Sequence, residues 1–238
     1  MTQKITGISS MATRGVLAEL SAAYTQRSGC AVAIESVGGV DAARRVQAGE
    51  AFDLVVLAAD AINKLMAAGH LQPGSRVDLV RSPVAVAVRA GAPWPDISSE
   101  DAVRQAVLAA RSLAFSTGPS GVFLAALFER WGLADTLQAR TVQAPPGVPV
   151  GTLVARGEVE LGFQQLSELM HLPGIDVVGT LPPAIAYITT FSAALGLACT
   201  QAPTLQAVHV LNAVNALLAS MTSAEAASII RRHGMMPA

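Results

Sequence analysis

Aromatic residues are scarce in this chain, 4% of 238 positions, and so are charged ones, at 14%. The charges sum to a net −1, so no global field gathers nucleic acid or an acidic membrane surface, and neither is expected as a partner. Cysteine is nearly absent. Cys30 and Cys199 stand far apart and match no metal or redox spacing, so both read as buried thiols. No run is long enough to insert in a bilayer. The longest weakly polar stretch, 184–199, is broken by Thr189, Thr190 and Ser192. The first residues carry no apolar signal-peptide core. A cytoplasmic location is expected, or a periplasmic one if a leader has been removed. Walker loops, His-Glu-x-x-His pairs and Gly-x-Ser-x-Gly elbows are missing too. No metal and no cofactor are expected.

What is present is an ordered, apolar composition, 52% hydrophobic, sufficient to bury a sizeable core. Its pattern alternates. Apolar runs at 5–8, 31–35 and 53–58 read as strands, and each leads into a helical stretch, at 14–28, 40–48 and 59–68. Gly29, Gly49 and Gly69 stop those helices. The run 53–58 is unbroken, as in a parallel strand buried on both faces. Further on, strands are expected at 84–90, 113–116, 141–143, 160–164, 175–178 and 185–194. Helices are expected at 97–110, 122–131, 148–156, 202–218 and 223–233. The fold class is therefore α/β. The β-rich segments near 80–90 and 185–195 bracket the middle of the chain, as when one lobe is inserted into another. This divides the chain into a discontinuous lobe, 1–82 with 192–238, and an inserted lobe, 83–191. A ligand is expected in the cleft between them, beyond the strand carboxyl ends.

Three loops place small polar residues between a strand and a helix N-terminus. They are Ser9-Ser10-Met11-Ala12-Thr13, Ser36-Val37-Gly38-Gly39-Val40 and Ser116-Thr117-Gly118-Pro119-Ser120-Gly121. Ser and Thr before a helix often do no more than cap it. Three such loops in corresponding positions point further, to backbone N–H groups, hydroxyls and helix dipoles aimed at an anion. Such donors bind an anion without desolvating a buried counter-charge.

The order and spacing of several segments resemble the molybdate-binding-protein-like branch of the type 2 periplasmic-binding superfamily. The segments are Ile8-Ser9-Ser10, Ser36-Val37-Gly38-Gly39, 48–55, 71–79, 86–93, Ser120-Gly121 and 162–169, almost end to end. The resemblance implies a two-lobed α/β fold whose ligand is held by serine hydroxyls and amides of both lobes. Carried over, it points to Ser9, Ser10, Gly38 and Gly39 in the first lobe and Ser120 and Gly121 in the second. A position that is often Tyr in molybdate binders falls near Gln164 or Gln165.

Arg81-Ser82-Pro83 and Gln164-Gln165-Leu166-Ser167-Glu168 are similar to a subgroup that includes aconitate isomerases, which implies a carboxylate ligand. Arg81, at the expected lobe junction, is a candidate to fork onto that carboxylate. The resemblance thus implies a solute-binding protein for a small oxyanion or carboxylate. If exported, it would have a membrane permease as partner. The alternative it implies is an isomerase using the same cleft. An isomerase needs a proton-transfer group, and Glu168, His171, Tyr187 and Asp41 are the titratable candidates near the loops. None stands in a recognised catalytic spacing, and Glu168 is expected on a solvated helix or capping one.

Overall fold

Apolar runs become strands that hand the chain to helices within a few residues. The computed structural model describes residues 4–145, 147–197 and 205–238. In chain order the elements are β1 (Lys4–Ser10), α1 (Arg14–Ser28), β2 (Ala31–Val37), α2 (Gly39–Gln47), β3 (Leu54–Ala58) and α3 (Ala59–Ala67). Then come β4 (Val77–Arg89), α4 (Glu100–Ala109), β5 (Leu113–Phe115), α5 (Pro119–Arg130), α6 (Ala134–Gln138) and β6 (Thr141–Gln143). The rest are α7 (Val150–Ala155), β7 (Leu161–Gln165), α8 (Leu166–Leu169), β8 (Ile175–Thr180), β9 (Ile188–Leu195), α9 (Leu205–Met221), α10 (Ala226–Arg232) and β10 (Met236–Pro237). The described residues divide into two compact units, Met1–Arg81 with Thr190–Ala238, and Ser82–Thr189.

In the first unit the sheet runs β2-β1-β3-β9-β4, with β10 antiparallel to β4. β1 is parallel to both β2 and β3, so their carboxyl ends share one edge. All five residues of β3 are buried, as the unbroken apolar run requires. α1 packs Val16, Leu17, Leu20 and Tyr24 onto one sheet face, and α2 and α3 cover the other with Ala42, Val46, Ile62 and Leu65. Gly29 ends α1 at φ 72°, its N–H returned to the Thr25 carbonyl, the left-handed cap glycine adopts without strain.

In the second unit β7 lies between β4 and β5, antiparallel to the first and parallel to the second, and β6 extends the parallel side. α4 starts where a cap was expected: Ser99 accepts from Ala102 N at 3.1 Å. Its Val103 and Val107 join Phe115, Phe128 and Phe163 in the main core of this unit.

Several elements differ from the sequence expectation. β4 begins at Val77 rather than at 84, because its first half pairs with distant β9 and β10, which no local pattern announces. α5 begins at Pro119 rather than at 122, since proline at the first helical position loses no N–H bond. Ser120 and Gly121 therefore sit in a helical turn, not in a loop. α6 and β10 are too short to carry a period. Cys30 is buried and its thiol pushed up by burial, whereas Cys199 lies outside the described residues. Among the described residues no single helix is long and apolar enough to cross a membrane.

Candidate functional site: two seats of neutral donors

In the first unit the strand pairing assembles the seat. Ser9 and Ser10 close β1, and the parallel register sets Ser9 opposite Ser36 on β2. Their hydroxyls meet at 2.7 Å, and Ser9 is completely buried. The same edge begins α2, with Gly38 as its cap residue and Gly39 as its first helical residue. A Cβ on Gly39 would lie 3.5 Å from Ser10 Cβ, so the two loops are in contact. Ser10 Oγ is buried without a hydrogen-bond partner among the described residues. A buried hydroxyl left unpaired costs roughly 1–3 kcal/mol, and a guest with an acceptor would recover it. The first-turn N–H groups of α2 have no intrahelical carbonyl to use. Asp41, in that turn, is ion-paired with Arg44 on the surface.

In the second unit the corresponding seat is built within one turn. Ser116 Oγ lies 3.2 Å from Ser120 Oγ and accepts from Gly118 N at 3.3 Å. Ser120 is 2% exposed. Gly121 donates its N–H to the Gly118 carbonyl at 3.0 Å, so its amide is committed within the turn. Its missing side chain matters instead. A Cβ there would stand 1.6 Å from the Ser116 carbonyl oxygen, so only glycine lets α5 begin this close to the end of β5.

At the carboxyl end of β7 lies a third group. Gln165, 3% exposed, donates from Nε2 to Thr189 Oγ1 at 2.6 Å, and its Oε1 is buried without a partner among the described residues. Half a turn of this amide lets the Thr189 hydroxyl donate to the oxygen and puts the NH2 group where the unpartnered Oε1 lies, which is buried. Gln164 is fully engaged: Oε1 accepts from Val150 N and Nε2 donates to Glu168 Oε1, both at 2.8 Å. Ser82, completely buried, has its hydroxyl 3.3 Å from that of Ser167.

Glu168 does not sit on a solvated helix. The residue is half-buried and burial pushes its carboxyl up to about 7, against the opposing pull of the Gln164 hydrogen bond. Arg81, expected at a ligand carboxylate, lies exposed and donates Nε and Nη2 to the Pro237 carbonyl at 3.2 and 3.0 Å. His171 is exposed, and Tyr187 stacks on Phe123 with ring centroids 4.4 Å apart. Ser36 and Ser116 stood in the loops singled out from the sequence, without being named as site residues. Thr189 had no local signal, since only sheet pairing brings β9 near Gln165. Among the described residues no cluster of His, Cys, Asp and Glu is arranged to hold a metal ion.

The family model described as bacterial extracellular solute-binding protein matches residues 5–236. The chain belongs to this family. Within the solute-binding proteins, the molybdate-binding protein of Azotobacter vinelandii superposes with a TM-score of 0.75, at 22% identity over 98% of both chains. The sulfate-binding protein SubI of Mycobacterium tuberculosis also gives 0.75, at 18% identity over 99% of this chain and 87% of that one. These likenesses fix the fold as the type II periplasmic-binding-protein architecture. A curated relative from a Pseudomonas species, named aconitate isomerase, is 39% identical over 98% of this chain and 87% of its own length.

Proposed function

We propose that this chain is an isomerase of the aconitate type, binding a small unsaturated tricarboxylate with the hydroxyl and amide donors of both units. The observation that carries the reading is the 39% identity to a Pseudomonas aconitate isomerase, spread over 98% of the chain. The seats support it chemically. They offer Ser9, Ser10, Gly38 and Gly39 from one unit, and the Ser120 hydroxyl with the Gln165 amide from the other, where Gly121 contributes space rather than a donor. These are donors suited to carboxylates as well as to tetrahedral oxyanions. The position near Gln165 that is often Tyr in molybdate binders carries a primary amide here.

The second reading is solute capture for uptake through a membrane permease, and family membership favours it. Binding alone does not separate the two readings, but turnover does. The protein is incubated with cis- and then with trans-aconitate, and interconversion is followed by proton NMR. A thermal-shift series with aconitate, citrate, sulfate and molybdate runs in parallel. The isomerase reading expects interconversion and stabilisation by aconitate, about 2.7 kcal/mol at a hundredfold excess over Kd. Stabilisation by molybdate or sulfate alone, without turnover, would leave solute capture standing.

A further inference from the structure

Gln164 and Glu168 make a pair that anion binding does not require. The amide of Gln164 is oriented from behind. Its Oε1 accepts from Val150 N, at the start of α7, so Nε2 has to face Glu168 and donates to Oε1. The other carboxyl oxygen, Oε2, makes no hydrogen bond among the described residues, and the residue is only half-buried. One oxygen of Glu168 is thus tethered and the other is open.

The pair stands where a ligand is expected. β5 and β7 are parallel, with Phe115 opposite Phe163, so Gln164 is level with Ser116 at the carboxyl ends of these strands. That is the end of a parallel sheet where ligands collect. The charges around Glu168 do not compensate it. β7 and α7 carry no titratable side chain. β8 contributes Asp176, whose Oδ2 accepts from Gly91 N. His171, just beyond α8, is exposed, and Arg81 is turned to Pro237. Among the described residues Glu168 has no ion pair, and burial dominates its acidity. A carboxyl poised near neutrality can both take and return a proton.

We propose that Glu168 is the proton-transfer group of this isomerisation and that Gln164 is the residue that positions it; the inference rests on the isomerase reading. Glu168 Oε2 takes a proton from the allylic CH2 carbon of the substrate. The C–H electron pair forms the new double bond to the central carbon. The old π pair moves to the far carbon, which takes the proton back from Oε2. No electron is gained or lost overall, and no co-reactant is needed.

The test compares wild type, E168Q and Q164L by NMR in deuterated buffer, with aconitate thermal shifts alongside. E168Q is expected to lose at least about a hundredfold in interconversion and in deuterium uptake at the allylic carbon, while its aconitate shift remains. Q164L is expected to retain turnover but to move the acid limb of kcat/KM to higher pH. Without the amide donor the carboxylate is less stabilised, and the base form appears later. E168Q turning over like wild type would overturn the proposal and leave the isomerase reading intact. So would Q164L slowing equally at every pH. Should E168Q fail to fold, the Q164L profile decides. A wild-type protein that binds aconitate and turns over neither isomer overturns the reading and this inference together.

Discussion

The two units solve the same problem with different parts. In the first, Ser9 and Ser36 come from neighbouring strands, and their hydroxyls meet only because β1 and β2 pair in parallel. In the second, Ser116 and Ser120 are four residues apart, and a single strand-to-helix turn suffices. The first seat therefore depends on sheet register and the second on local backbone geometry. They differ in charge as well. The carboxylate near the first seat, Asp41, is spent in a surface ion pair with Arg44. The one near the end of β7, Glu168, is half-buried and has no counter-charge among the described residues. Binding an anion gains nothing from a buried acid nearby, whereas moving a proton requires one. On the proposed isomerase reading, the first unit is a holder and the second a holder with chemistry beside it.

The largest expected effect sharpens the structural half of this contrast. Gly121→Ala puts a Cβ 1.6 Å from the Ser116 carbonyl, so α5 or the loop has to move. We expect a loss on the order of 3 kcal/mol, seen as a fall of roughly 6–12 °C in Tm. The counterpart in the first seat, Gly39→Ala, meets Ser10 Cβ at an ordinary 3.5 Å and should cost less than about 1 kcal/mol. Equal losses at the two sites would erase the distinction between a turn-built seat and a register-built one.

The electrostatic half is tested by pH. Glu168 has its folded pKa raised to about 7, above the unfolded value, so the folded state holds its proton longer. Stability from this group is full below the unfolded pKa, near pH 4.5, and is lost as pH rises to about 7. The loss is on the order of 3 kcal/mol. Denaturant titrations from pH 4 to 8 should show wild type weakening relative to E168Q across that window. Parallel curves would mean that the carboxyl is solvated.

Smaller effects follow at the hydroxyls. Ser9→Ala and Ser120→Ala should each weaken aconitate binding about tenfold by calorimetry, near 1.4 kcal/mol. Loss at only one of them would show that one unit carries the affinity. The smallest effect belongs to Arg81. With its guanidinium on the Pro237 carbonyl, Arg81→Ala should leave Kd within about twofold and lower stability by about 1 kcal/mol. A tenfold loss of affinity would return Arg81 to the ligand.

Much of this molecule could be read along the chain. The strand–loop–helix pattern, the glycine that ends α1, the Ser99 cap and the three hydroxyl-bearing loops are local features, visible at spacings of two to four residues. The first half of β4, β10 and the Gln165–Thr189 bond were invisible, because their partners lie far off in sequence. The Arg81 contact was invisible for the same reason. Its partner is the carbonyl of the second-to-last residue, 156 positions away.

Local chemistry in the sequence determined where strands hand over to helices and which loops carry hydroxyl and amide donors. Those choices rest on side-chain period and backbone sterics within a few residues. Only tertiary structure decided that Ser9 faces Ser36, that Ser10 is buried with an unused hydroxyl, and that Glu168 is half-buried with a raised proton affinity. Burial and register are properties of neighbours brought together by the sheet, and a carboxyl's proton affinity follows from those neighbours.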